Sequence, residues 1–514
     1  MDIKLNDFLR WNWTARVILR ANRNLILKDF LNNPTSHIQD EGVLREIQAA
    51  GRYVRMETAV KEEVIFEEDV RKLLDNGVNN LLGWSKAPAA VKAGVHNFTK
   101  NSLNAALEEL RRQTTEAPVI LEGLYESVYN ARWHHVVEVP DDEKTKTGMG
   151  MEVREGKPQS WTYKKVGDTL EKDDGVGQSG AALPRLMVLT SDKGWPYSWN
   201  RWNSGLTNDC YVNCEVDRVW QIVKNDLTKW FSPRRGKNLT PDLRVLIGTP
   251  GIGKSMAAGS YLLYQLLHYD AKKFPPVAYF IADRTFLFDK TAQTVTEYVG
   301  ESSALDVVKG LSHRGVRGFI IYDVATNGCQ PSSGLPCEGW GMIVVTSPNS
   351  NNYESWAKEV EAGRIIINCP EESDVKAMCV WRRHNPQPAK EQAEEETEEE
   401  VEDEAGYWRV MERRINTVEP ILRFIFERQR YKARLNECVG AVNAITVSKT
   451  EYYACIGNGT SWDGSSVSHK LVKVVRVRRV GRTESPLNVP ISPHFERETL
   501  STLENEMKQT DFIF

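Results

Sequence analysis

The stretch Arg244–Ser255, RVLIGTPGIGKS, is a short β-branched run leading straight into G-x-x-x-x-G-K-S, and MAAGSYLLYQLLHY follows it with a helical pattern. Strand, glycine loop and helix in that order read as a P-loop, so this part of the chain is expected to be an α/β sheet that binds a nucleotide. Gly248, Gly251 and Gly253 let the backbone curl until successive N–H groups point inward at phosphate oxygens, beside the positive end of the next helix. Lys254 reaches for the β- and γ-phosphates, and the Ser255 hydroxyl is placed to ligate Mg²⁺. The expected nucleotide-binding set is Gly248, Thr249, Pro250, Gly251, Ile252, Gly253, Lys254, Ser255 and Met256.

A P-loop needs a second carboxylate for the metal at the end of a buried strand. GFIIYD supplies it in Asp323, because Phe319 to Tyr322 are four large apolar residues, as in a parallel strand buried on both faces. Between Lys254 and Asp323 lies another apolar strand, PVAYFIAD, and then a helical stretch around Ala304–Leu311. That spacing suits the additional-strand ATPase branch, and the lack of an N-K-x-D motif favours ATP over GTP. GMIVVTSPN and RIIINCPEES complete the sheet. The first leaves Thr346, Ser347 and Asn349 at its carboxyl end, where Asn349 is placed to sense a γ-phosphate or orient water, unless these are ordinary turn residues.

The base is harder to find, since Val324 stands where many related ATPases carry Glu directly after the metal-binding Asp. Asp283, at the end of the preceding strand, is the substitute. Arg314 and Arg317 lie just ahead of the Asp323 strand and read either as arginine fingers, in cis or toward a neighbouring subunit, or as solvated helix ends.

At 514 residues the chain has room for about three domains, and its net charge of −4 confines any nucleic-acid binding to a local patch. No apolar run approaches a membrane span and MDIKLNDFLRWNW is not a signal segment, so a soluble, non-secreted protein is expected. The eight cysteines lack C-x-x-C spacing and read as reduced thiols.

Composition divides the chain into five parts: a helical region 1–125, an α+β region 126–205, the P-loop ATPase core 206–384, an acidic linker 385–406, and a helical lid with a basic strand and a divergent tail, 407–514. Glu391–Glu404 holds ten carboxylates in fourteen residues, the pattern of a solvated linker or a binder of basic partners. Lys470–Arg482, KLVKVVRVRRVGR, concentrates Lys470, Lys473, Arg476, Arg478, Arg479 and Arg482. Alternation of Val with cations suggests a strand able to lie along RNA or DNA phosphates. An import signal and an edge strand protected by charge remain open.

GTPGIGKS with MAAGSYLLYQLL, FIIYDVA, GWGMIVVTSPN and RIIINCPEESDVKAMCVW, together with ESVYNARWHHVVEVP and LMVLTSDKGWPYSWN upstream, resembles the retrotransposon hot spot (RHS) protein family of trypanosomes over roughly residues 5–480. The resemblance implies a nuclear or cytoplasmic protein linked to chromatin, transcription or RNA handling. Longer relatives continue past the lid, so the chain is expected to be a C-terminally truncated member whose tail from Glu498 diverges. The resulting expectation is an ATP- and Mg²⁺-binding P-loop protein with slow hydrolysis. The alternatives are a nucleotide-dependent interaction switch without turnover and an inert truncated relative.

Overall fold

The computed structural model describes residues 27–49, 65–115, 118–139, 149–167, 169–173, 184–199, 208–232, 240–324, 330–386, 404–445, 470–477 and 484–506. It divides into two compact units, Met1–Glu116 and Ala117–Phe514. The first unit is helical where described. Leu73, Trp84 and Val95 form its small core, and the Trp84 indole donates 3.0 Å to Asn104 Oδ1.

The second unit is built on an eight-stranded sheet. Its strands are β1 (Val119–Ile120), β2 (Arg244–Ile247), β3 (Pro276–Ile281), β4 (Arg284–Asp289), β5 (Thr294–Val299), β6 (Gly318–Asp323), β7 (Trp340–Thr346) and β8 (Gly363–Ile366). Their spatial order is β1-β5-β4-β3-β6-β7-β2-β8. The five from β3 to β8 pair in parallel, whereas β1, β5 and β4 join by antiparallel ladders. Strand β7 thus lies between the P-loop strand β2 and the Asp323 strand β6.

Why these strands are so apolar follows from where they sit. Every residue of β3, β6 and β7 is buried, which requires cover on both faces. Successive side chains alternate between the faces. Phe319 and Ile321 face the helices Cys214–Trp230 and Ser260–Leu267, while Ile320 and Tyr322 join the cluster that contains Ala304, Val308, Trp356 and Val375. Each fully buried aliphatic side chain here contributes about 1.5–3 kcal/mol of transfer free energy.

The boundary between units falls ahead of the expected break at residue 125, because Val119 and Ile120 pair with Glu297 and Thr296 of β5 and tie this segment to the sheet. A four-stranded sheet of Arg132–Glu138, Met151–Glu155, Pro184–Thr190 and Asp209–Val212 belongs to the same unit, as does the hairpin Tyr163–Val166/Thr169–Lys172. So does a C-terminal lobe of helices Glu404–Val418, Leu422–Ile425, Arg428–Asn443 and Pro493–Glu506 with the hairpin Val472–Val477/Ser485–Pro490. The expected divergent tail is therefore partly structured, since its residues 498–506 form the second half of the last helix with Thr499 and Leu503 buried. The acidic run from 391 to 403 lies outside the described residues.

Candidate nucleotide site

Strand β2 ends at Ile247, and the backbone turns through Gly251 at φ 89° and Gly253 at φ 99°, values that favour glycine. The chain then enters a π-type turn, Lys254–Gly259, before continuing as Ser260–Leu267. That wide opening turn departs from the plain helix expected from sequence, and single π turns recur at functional sites. The Lys254 ammonium closes back on its own loop, donating 2.7 Å to Gly248 O and 2.8 Å to Thr249 O.

Asp323 ends β6 in register with Val345, and the next residue of β7, Thr346, pairs with Ile247 at the start of the loop. This register gathers the carboxyl ends of β2, β7 and β6, so Lys254, Ser255 and Asp323 come together. Asp323 is buried, and the Ser255 hydroxyl hydrogen-bonds its carboxylate. Asp323 Oδ2 has no hydrogen-bond partner. Burial pushes the Asp323 carboxyl up to about 6, against the opposing pull of the Ser255 hydroxyl, the Lys254 charge and the Tyr279 hydroxyl. Burial likewise pulls Lys254 down to about 7, with Asp323 opposing and the Arg423 guanidinium adding to the fall.

The C-terminal lobe lies directly on this loop. Arg423 N donates 3.2 Å to Gly251 O. A Cβ at Gly251 would stand 2.7 Å from Ile421 Cγ2, so only glycine admits that contact. Val474 N donates 3.0 Å to Thr249 Oγ1, which brings the hairpin to the same loop. The Arg423 side chain hydrogen-bonds Tyr197, whose hydroxyl burial pushes up, Arg423 pulls down and Asp323 pushes up. Arg423 and Tyr197 were invisible to sequence reasoning. Nothing in LRFI or WPYSW marks either residue, because each reaches the site only through tertiary packing.

The other expected site residues sit differently. Asp283 is exposed in the tight β3–β4 turn beyond Ile281, and Ile281 is in register with Asp323. It therefore lies at the carboxyl edge of β3, the edge at which Asp323 ends β6. Asn349 caps a short turn, accepting 3.0 Å from Asn351 N. The polar group nearest the end of β7 is instead held by Asn352, which donates to Thr346 Oγ1 at 3.2 Å and Ser347 Oγ at 3.0 Å. Arg314 corrects the expectation of a finger acting in cis. It follows helix Glu301–His313 and precedes β6, which places it at the amino edge of the parallel sheet, a strand length of about 20 Å from Asp323. Arg317 precedes β6 as well, on that same edge.

The basic strand also needs correction. Arg476 is turned inward, its NH2 2.8 Å from Glu171 Oε2 and its NH1 2.6 Å from Glu215 Oε2, with the side chain 6% exposed. Lys473 pairs with Glu419 at 2.6 Å. Neither is presented to a phosphate backbone. Arg478, Arg479 and Arg482 lie outside the described residues.

Among the described residues no group of three or more His, Cys, Asp or Glu could hold a metal, and no helix is long and apolar enough to cross a membrane. Six described cysteines are free. A family model described as retrotransposon hot spot protein, P-loop domain, matches residues 245–513, and one described as retrotransposon hot spot proteins N-terminal matches residues 125–242. A domain of unknown function matches residues 1–63, and no curated protein matches the chain. The P-loop match runs through the lobe and its last helix, so the loop and the structures lying on it belong to one family domain. That match alone spans more than half of the 514 residues, and the chain belongs to the retrotransposon hot spot protein family.

Proposed function

We infer that this protein binds Mg²⁺–ATP at the P-loop and hydrolyses it slowly, with the C-terminal lobe responding to the bound phosphates. The observation that carries the reading is the cluster of buried Lys254 and Asp323 with the half-buried Ser255, in which Asp323 Oδ2 has no hydrogen-bond partner. A buried carboxylate oxygen without a partner fits a divalent cation, and Mg²⁺ bound by one carboxylate, one hydroxyl, phosphates and water needs no larger protein cage. Ser255 and Asp323 would hold that ion, which would neutralise charge on the β- and γ-phosphates. Lys254 would leave its two loop carbonyls for the phosphates, and Arg423, already hydrogen-bonded at Gly251, would supply a guanidinium from the lobe.

The sheet order supports the additional-strand ATPase reading, since β7 is inserted between the P-loop strand and the Asp323 strand. Asp283 is the candidate base. A switch without turnover is the second reading, favoured by Val324 in the position after Asp323. A role in nuclear or cytoplasmic nucleic-acid transactions is proposed on the resemblance of the sequence alone.

The test is thermal melting with and without Mg²⁺–ATP, followed by single-turnover hydrolysis. Saturating ligand at a hundred times Kd should stabilise by about 2.7 kcal/mol, and Lys254→Ala should remove the shift. Equal shifts in wild type and variant would refute the site. Tight binding with no turnover would select the switch.

A further inference from the structure

A second polar concavity lies away from the P-loop, in the groove of about 430 Å³ between helices Glu404–Val418 and Pro493–Glu506. Arg409, Arg413 and Arg497 line it, with Asn416, Thr417 and His494 beside them and Glu412 the one acid of the lining. The sequence produces this face by helical period. Met411, Arg414, Ile415 and Val418 turn into the protein, which leaves Arg409, Arg413 and Asn416 at i, i+4 and i+7 on the outer side. On the second helix Phe495, Thr499 and Leu503 are buried, and Arg497 is exposed.

Other arginines of the same lobe have partners. Arg430 pairs with Glu427 at 2.6 Å, Arg434 with Glu437 at 3.3 Å, and Arg414 donates 2.8 Å to Ile425 O. Among the described residues Arg409 and Arg413 make no ion pair, and Arg497 donates only to Pro493 O at 3.2 Å. Two like charges one turn apart on a helix oppose each other, so the arrangement is unfavourable to folding without an anion.

We propose that this groove binds the phosphodiester backbone of single-stranded nucleic acid, without regard to sequence. Guanidinium forks match phosphate oxygens in bidentate geometry, and a pair one helical turn apart, about 6 Å, suits successive phosphates along a strand. The lining carries no apolar side chain to receive the side chains of an acidic or phosphorylated peptide, and its one ring, His494, is no platform for base readout. A polyanion that presents charge and little else is what fits. The groove is separate from Lys254, and its ligand requires no nucleotide.

The experiment is fluorescence anisotropy of the full chain with labelled oligouridylate across a salt series, nucleotide-free. Wild type should bind with an affinity that falls steeply with salt. Arg409→Gln/Arg413→Gln/Arg497→Gln should weaken binding about tenfold or more and flatten the salt slope by about 2, each contacted phosphate contributing roughly 0.7. The corresponding triple lysine variant should retain most of the affinity. Melting curves establish that the glutamine triple is folded, and the exposed single change Arg497→Gln, with about a third of the slope effect, reads the same face if it is not. Failure of wild type to bind, a folded glutamine triple with unchanged slope, or selective capture of a phosphopeptide or oligoglutamate arm over the RNA would each overturn the proposal.

Discussion

Two clusters of buried charge in the second unit are treated in opposite ways. Around Arg476, four guanidinium bonds of 2.6 to 3.1 Å run to Glu171 and Glu215, and Arg218 joins the cluster through Glu484 and the Ile366 carbonyl, both at 2.5 Å. Burial alone would raise Glu171 and Glu215, yet the arginines beside them hold both below the usual carboxylate range. Around Lys254 the result is reversed: Lys254 is pulled down, Asp323 is pushed up, and one Asp323 oxygen has no donor. A cluster whose carboxylates are all paired pins elements together, even though Arg218 Nε has no hydrogen-bond partner, while one with an unpaired carboxylate oxygen is poised for a charged ligand. The first joins the hairpin to the sheet edge at β8, where Glu484 also accepts 2.7 Å from Ile366 N. The second faces the loop that the sequence marks for phosphate.

The largest effect should come from breaking the satisfied cluster. Arg476→Met leaves Glu171 and Glu215 buried without their shared partner, and loss of one member of such a cluster costs about 3–5 kcal/mol. The urea midpoint should fall accordingly, and adding Glu171→Gln with Glu215→Gln should recover most of it. A wild-type midpoint for Arg476→Met would mean that the cluster pins nothing.

Removing a charge from the unsatisfied cluster should do the reverse. Asp323 has a folded value raised from 3.8 to about 6, so its contribution is fully present below pH 4 and is lost as pH rises through 6. Asp323→Asn escapes that loss. Without nucleotide the variant should be more stable than wild type by about 1–2 kcal/mol at pH 7.5, with the advantage gone near pH 4. Chemical denaturation at the two pH values measures it, and a destabilised variant at pH 7.5 would show that Asp323 is already well satisfied.

What could be read from the chain follows the same division. Continuous apolar runs such as GFIIYD and GMIVVT announced strands covered on both faces, and the glycine spacing announced the phosphate loop, because those signals are local. Arg476 was misread since Val alternating with cations looks the same on an exposed strand and on one whose cations meet carboxylates 305 and 261 residues away. Arg423 and Tyr197 have no local signature at all. Arg314 was open to better reasoning: residues just ahead of a parallel strand lie at its amino end, opposite the ligand edge. Asn349 stands in the loop after β7, and its side-chain oxygen is used in capping, a role the tripeptide Asn349-Ser350-Asn351 already permits through an Asx turn.

The subtlest consequence concerns the proton on Lys254. Its folded value is lowered from 10.5 to about 7, so between those limits the unfolded chain binds the proton more tightly and the ligand-free protein gains stability as pH rises from 7. At pH 8 the ligand-free lysine is therefore mostly neutral. Phosphate oxygens favour the ammonium and would restore it, so binding Mg²⁺–ATP at pH 8 should take up close to one proton. At pH 6, where Lys254 is already charged and Asp323 is about half protonated, that uptake should give way to a net release as the metal displaces the Asp323 proton, and affinity should fall by up to tenfold per unit above pH 7, about 1.4 kcal/mol. Calorimetry in buffers of different ionisation enthalpy counts the protons directly. Binding at pH 8 with no uptake would mean that Lys254 keeps its charge in the empty site, through its bonds to the Gly248 and Thr249 carbonyls, and the contrast between the two clusters would then rest on Asp323 alone.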